Sequence, residues 1–312
     1  MERTISILDF NKLLQRLSEK IRVIVPVKTE HGHYYQEYDG EYNFNFIQTL
    51  NTPKDWLMPK KELLFKYENK KPKTKYETQR TIIFGIKPCD LHAIQILDKI
   101  LKKDVYYQKK RENTILIGLD CVKGDEHCFC TSVGTHVPTN YDAFMKRINE
   151  GYHFKKGSNK VNQILNYSLF KNTSKKLTPT IPIKTKKWQI KNVTKKMNEK
   201  FNDKIWSELA KECVECGKCT AICPTCYCFK IVENEIGRWR EWDSCQFTQF
   251  TRIAGNHVFR KDLTSRVRHR FYHKFHYARG DEGLIECVGC GRCSRTCPAN
   301  IHMLKVMKEV TK

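Results

Sequence analysis

Leu13, Leu14 and Leu17 recur at helical spacing in FNKLLQRLSEKI, and Asp9 stands where a cap belongs, so the chain opens on an amphipathic helix. The apolar run RVIVPV (Arg22 to Val27) reads as a short strand, and Tyr34 to Tyr38 as another. Residues 51–80 are polar and lysine-rich, with little periodicity. TIIFGI (Thr81 to Ile86) is β-branched and continuous, the signature of a buried strand. Asp90 then caps LHAIQILDKIL, where Leu91, Ile94, Leu97 and Leu101 share one face, and TILIGL (Thr114 to Leu119) follows a polar connection. Strand, helix, strand predicts a right-handed βαβ unit with parallel strands. Cys89 falls just past the end of the first of these strands and Cys121 just past the second. Parallel strands bring both to one sheet edge, where α/β folds build their sites. Cys128 and Cys130 follow in the same loop, so four cysteines are expected to converge there.

Beyond this unit the pattern changes. Residues 151–198 hold twelve lysines and no acidic residue, with Ser, Thr, Pro and Asn filling much of the rest. They read as a peripheral extension and linker, either solvated or presented to an acidic partner. The expected architecture is a multidomain α+β chain. Residues 1–196 form an N-terminal α/β domain with its lysine-rich extension at 151–196, and residues 197–312 a helical two-cluster ferredoxin-like domain.

Composition narrows the chemistry. Fifteen cysteines in 312 residues, an odd number mostly two or three residues apart, argue against a disulfide scaffold and for metal ligation in a reducing compartment. The first residues, MERTISILDFNKLLQRLSEK, lack the apolar core of a signal peptide, and no apolar run is long enough to span a membrane. A soluble, cytoplasmic protein is expected. The net charge of +23 calls for a polyanionic or acidic partner, or for bound groups that are themselves negative.

The pattern C-x2-C-G-x-C-x3-C-P occurs twice, from Cys213 and from Cys287. It is the cysteine run of bacterial two-cluster ferredoxins, in which three close thiolates hold one cubane and the fourth, before proline, reaches the other. One [4Fe–4S] cluster is therefore expected on Cys213, Cys216, Cys219 and Cys297, and a second on Cys287, Cys290, Cys293 and Cys223. Gly217 and Gly291 let the backbone approach the inorganic core. Lys218 and Arg292, inside the loops, would raise potentials or face an acidic partner. Zinc is the competing reading, since C-x2-C pairs also build zinc ribbons, but two complete runs ending in Cys-Pro favour the clusters.

The long stretch between the runs, ENEIGRWREWDSCQFTQFTRIAGNHVF, contains helix-compatible residues with Trp239, Trp242, Phe247 and Phe250, which predicts a helical surround that excludes water. RVRHRFYHKFHYAR (266–279) alternates basic and aromatic residues. It reads as a helix with aromatics inward and cations solvated, or as a face for an acidic partner; His269, His273 and His276 read as surface or core histidines. Such a run can also bind nucleic acid, so a basic, metal-containing nucleic-acid-binding protein is the alternative from another class. GxGxxG, Walker and triad patterns are absent from the sequence. No catalytic residue is assigned, and no cofactor beyond the clusters.

FGIKPCDLHAIQILD, YYQKKRENTILIGLDC, CFCTSVGT, CGKCTAICPTCYC, REWDSCQF, AGNHVFR and CVGCGRCSRTCPANI together resemble one type of protein. Its family contains the iron–sulfur relay subunit of anaerobic sulfite reductase and the beta subunit of sulfhydrogenases. The resemblance runs over nearly the whole chain and weakens in the lysine-rich segment. It implies an iron–sulfur electron-transfer subunit in a hetero-oligomeric complex, without a substrate-converting site of its own. A flavin- and [2Fe–2S]-containing NAD(P)H-type reductase subunit would stand on one side. A siroheme sulfite reductase or a NiFe hydrogenase would stand on the other. It also implies a third [4Fe–4S] cluster on Cys89, Cys121, Cys128 and Cys130, against which a zinc site or buried free thiols stand as alternatives. Cys226, Cys228 and Cys245 are left over. They are further ligand candidates, either for a fourth cluster with a non-cysteine ligand or as buried thiols, and the twin CFC and CYC pairs keep open a role in a shared cluster.

Overall fold

The computed structural model describes residues 1–74, 76–77, 79–189, 191–277 and 285–312. They divide into two units, each assembled from separate stretches of chain.

The first unit comprises Met1–Leu57, Tyr76–Asp125 and Gly134–Lys184. Its strands are β1 (Glu2–Ser6), β2 (Arg22–Thr29), β3 (Gly32–Glu37), β4 (Thr81–Ile86), β5 (Thr114–Leu119), β6 (Ala143–Ile148), β7 (Gly151–Lys156) and β8 (Lys171–Asn172). They form one sheet in the order β8-β1-β7-β6-β5-β4-β2-β3. The pairs β2·β4, β4·β5 and β5·β6 are parallel, the β4·β5 pair as the βαβ pattern predicts. Helix α1 (Ile7–Ser18) buries Phe10, Leu13, Leu14 and Leu17 against Ile82, Phe84, Ile115 and Ile117. Helix α2 (Pro88–Ile100) meets Gly118, where an added Cβ would lie 3.0 Å from Leu91. Ile117 and Gly118 point to opposite faces, so the sheet carries a helix on each side. Helix α3 (Val105–Glu112) fills the connection that reads as polar loop, capped by Asp104.

Both expected caps shift. Ser6, not Asp9, caps α1, accepting the Asp9 N–H at 3.1 Å, while the Asp9 carboxylate accepts the Ser6 hydroxyl at 2.9 Å within the first turn. In α2, Pro88 takes the first helical position, where its fixed φ is pre-organised, and this moves Asp90 inside the helix. The stretch from 151 is also not peripheral. Tyr152 and Phe154 of β7 join the core, between β1 and β6, and the lysines that mask the strand come only at its end.

The second unit comprises Met58–Lys75, Glu126–Val133 and Thr185–Lys312. The compact units therefore part at 184/185, and the second draws two segments from the N-terminal half. Helices α4 (Val193–Glu199), α5 (Ile205–Glu212), α6 (Leu263–Phe275) and α7 (Met303–Val310) pack around Trp206, Phe271, Phe275 and Met307. The surround is not all helical, however. Phe229–Asn234 and Gly237–Trp242 form a hairpin in a four-stranded sheet completed by Lys61–Glu68 and Lys71–Lys73. Helix-compatible composition loses here to a tight turn. The Asn234 side chain accepts the N–H groups of Ile236 and Gly237 at 3.0 and 3.3 Å, and a Cβ at Gly237 would strike the Phe65 carbonyl at 2.3 Å. Arg240 of the hairpin forms a buried pair with Glu62. Among the described residues no helix is long and apolar enough to cross a membrane.

Candidate metal centres

The two cysteine runs fold alike. In each, a glycine at positive φ (Gly217 at 67°, Gly291 at 75°) starts a short turn, Lys218–Ala221 or Arg292–Arg295, that carries the third cysteine. Two residues earlier in the pattern, Gly289 has φ 63° and its counterpart Glu215 has φ 53°. A non-glycine residue there costs strain. The Glu215 carboxylate is anchored by buried Arg266 at 2.5 Å, which offsets it. Lys218 is exposed and Arg292 buried.

Cys213, Cys216, Cys219 and Cys297 line one pocket, walled by Val267, Phe271, Ile301 and Met303, with Cys293 and Arg270 also on its lining. The cysteine before Pro298 thus joins the three from the other run. On the second run, burial pushes the Cys287 thiol up, and the neighbouring sulfurs of Cys293, Cys223 and Cys290 push it further. Here too the cysteine before a proline, Cys223, stands with the opposite run. Burial likewise pushes Cys219 up to about 12. Among the described residues no three His, Cys, Asp or Glu side chains meet where a single ion would sit. A cubane needs something different, one thiolate at each iron around a core.

The charge around these sulfurs fits such a group. Arg270 and Lys274 of α6 are fully buried. Arg270 donates to the Cys226 sulfur at 3.5 Å and to the Cys219 carbonyl at 2.7 Å. Lys274 donates to the Thr225 carbonyl and hydroxyl at 3.1 and 3.0 Å and pairs with Glu286 at 3.3 Å. Buried cations need anions opposite them, and a four-thiolate cubane is anionic. These residues are the part of the site that sequence reading missed. The signal was there, since Arg266, Arg270 and Lys274 recur every fourth residue beside Val267, Phe271 and Phe275. Arg266, Arg270 and Lys274 of the basic–aromatic run are therefore buried, not solvated as the sequence predicts, while Arg268 stays partly exposed. Its last two residues, 278 and 279, lie outside the described residues.

Cys226, Cys228 and Cys245 lie in the second unit. The Cys228 thiol hydrogen-bonds Cys245 and holds it below the ordinary thiol range, while Cys226 stands in the same relation to Cys223. Of the other candidates, Cys89 and Cys121 belong to the first unit and Cys128 and Cys130 to the second. Cys89 is the second residue of α2 and accepts a hydrogen bond from Gln48 at 3.2 Å. Lys87, the buried N-cap, donates to the Asp120 carbonyl at 3.2 Å, with Cys121 and Cys89 close enough to favour its charge. The same sheet edge opens a cavity of about 660 Å³ lined by Lys87, Lys123, Lys146 and Arg147 against Asp120. Cys128 donates to the Cys290 carbonyl at 3.7 Å, and the Phe129 N–H donates to the Gly289 carbonyl at 2.8 Å. The Glu126–Val133 segment therefore braces the second cysteine loop.

Burial, and then the cations near it, lower His273 to about 3 and His269 to about 4 from 6.5. Glu286 lies 3.4 Å from His273 Nε2, but Lys274 already answers that carboxylate, so the imidazole stays neutral. His276 bonds Asn198 at 2.6 Å. Unfolded histidines take protons that these folded ones refuse, so stability rises with pH between about 4 and 6.5 and is lost as pH falls through that window. The thermal midpoint is expected to drop between those values. A double His269→Gln, His273→Gln variant should flatten the drop; an equally steep profile would contradict the assignment.

Residues 212–301 match the family model of a 4Fe–4S dicluster domain. Sulfhydrogenase 2 subunit beta of Pyrococcus furiosus is 31% identical over 96% of this chain and 96% of its own length. No solved structure matches. With that identity along nearly its whole length and the dicluster domain set on the paired cysteine runs, the chain belongs to the sulfhydrogenase beta-subunit family.

Proposed function

We propose that this chain is the iron–sulfur electron-relay subunit of a cytoplasmic, hydrogenase-type complex. The observation that carries the reading is the pocket lined jointly by Cys213, Cys216 and Cys219 of one run and Cys297 of the other, with Cys293 of that other run beside them. In this reading one [4Fe–4S] cluster takes those four cysteines and the second takes Cys287, Cys290, Cys293 and Cys223. Such clusters supply one-electron transfer when bound. The chain's own work is to hold them: thiolates as ligands, glycine turns that let backbone close in, an apolar wall against water, and buried cations that balance charge. No acid–base or nucleophilic step is required of it. Electrons would pass between a flavin and [2Fe–2S] NAD(P)H-type module and a separate catalytic subunit. The relative's name, a sulfhydrogenase subunit, favours a hydrogenase in that role over a siroheme sulfite reductase.

Iron and acid-labile sulfide counted on the full chain, purified without oxygen, test the proposal. At least two cubanes per chain are expected, with visible absorbance that bleaches on reduction; a colourless, iron-free protein sinks it. Iron for a third cubane would support the expectation on Cys89, Cys121, Cys128 and Cys130. Iron for a fourth would engage Cys226, Cys228 and Cys245.

A further inference from the structure

Helix α6 buries three cations one turn apart, Arg266, Arg270 and Lys274. The outer two have carboxylate partners, Glu215 at 2.5 Å and Glu286 at 3.3 Å. Arg270, between them, has no carboxylate partner among the described residues, and its Nε has no hydrogen-bond partner. A buried guanidinium in that position is strongly unfavourable unless other negative charge faces it. What faces it is sulfur: Cys226 at 3.5 Å, itself hydrogen-bonded to Cys223, with Cys219 and Cys293 lining the same pocket as Arg270. In the relay reading, on which this argument rests, Cys219 serves one cubane while Cys223 and Cys293 serve the other. The guanidinium therefore touches the surroundings of both at once, and its bond to the Cys219 carbonyl fixes it to the first loop.

We infer that Arg270 is the shared counter-charge of the two ferredoxin-type clusters, a positioning residue that holds both reduction potentials up together. Reduction adds one negative charge to a cubane, so a nearby fixed cation stabilises the reduced form and raises the potential. Lys274 contributes less, because Glu286 neutralises it. The pair should behave as a matched relay, neither site becoming a deep trap for the electron.

The test is an EPR-monitored redox titration of the full chain, with iron counted on every sample. Arg270→Gln is expected to make both cubanes about tenfold harder to reduce at a fixed poise, a shift of about 59 mV for a one-electron couple. Arg270→Lys keeps the charge and should leave both near their original potentials. A shift in one cubane alone, or in neither, with iron content intact, overturns the inference and leaves the relay reading standing. Iron-free unsubstituted protein sinks the relay reading itself. Should the glutamine variant fail to hold iron, the lysine variant decides. Near-native potentials support a role through charge; loss of iron, or a tenfold shift, assigns Arg270 a role through its bonds to Cys219 and Cys226 and overturns the inference.

Discussion

Replacing Cys223 by serine is expected to empty the site of the second cysteine run and spare the first. Cys223 belongs by sequence to the run that starts at Cys213, yet its sulfur is close enough to those of Cys287 and Cys293 to act on both. Of two ferredoxin-type cubanes, one should be lost, halving their iron. Cys297→Ser should do the converse, since Cys297 lines the pocket of Cys213, Cys216 and Cys219. One neighbour complicates the first substitution. The Cys226 thiol hydrogen-bonds Cys223 and is close enough to replace it as ligand, so a Cys223→Ser, Cys226→Ser double variant is the cleaner probe. Iron content and the EPR signal of each variant check the pair. Should Cys223→Ser remove the signal that Cys213→Ser also removes, the crossed assignment is wrong and each run holds its own cluster.

Gly291→Ala should be among the most damaging small substitutions in the chain. The residue sits at φ 75°, and an added Cβ would lie 2.7 Å from the backbone carbon and oxygen of His127. Left-handed backbone costs an alanine about 1–2 kcal/mol, and overpacking adds about 1–3 more. His127 stands in the Glu126–Val133 segment that braces this loop, so relief would come only by pulling that segment away. Gly255→Ala provides the comparison. It has the same φ of 75° but nothing within 4 Å, so only the backbone part should appear. The temperature at which cluster absorbance is lost should therefore fall much further for Gly291→Ala than for Gly255→Ala. Equal shifts would mean that the Glu126–Val133 brace contributes nothing to holding the loop.

Much of this was legible in the sequence because the relevant constraints are local. The spacing of cysteines, glycine and proline in each run reflects a turn that closes within its own few residues. The buried strands Thr81–Ile86 and Thr114–Leu119 likewise declare themselves by continuous β-branched and aliphatic character. What escaped depends on distant partners. Lys61–Glu68 looks unperiodic because its longest pairing is with the distant Gly237–Trp242, and only three residues pair with nearby Lys71–Lys73. The hairpin of Phe229–Asn234 and Gly237–Trp242 was masked by residues that also suit helices. Tyr152 and Phe154 were hidden by the lysines that follow them. Arg270 was misread for a related reason. A cation on a helix is normally solvated, and only the thiols gathered by the fold explain why this one is not.

The discontinuity of the second unit also bears on the order in which the protein can be made. Lys61–Glu68 leaves the ribosome long before Gly237–Trp242, and the Glu62 carboxylate waits as long for Arg240. Contacts of such sequence separation form slowly, and an unpaired strand edge invites association with other chains meanwhile. Glu126–Val133 likewise has no loop to brace until Gly289 and Gly291 have been synthesised. The second unit is thus completed only once the second cysteine run has been made. Iron and sulfide delivered earlier would meet the first cysteine run without Cys297, so cofactor insertion into a finished site has to wait until Cys297 has been made.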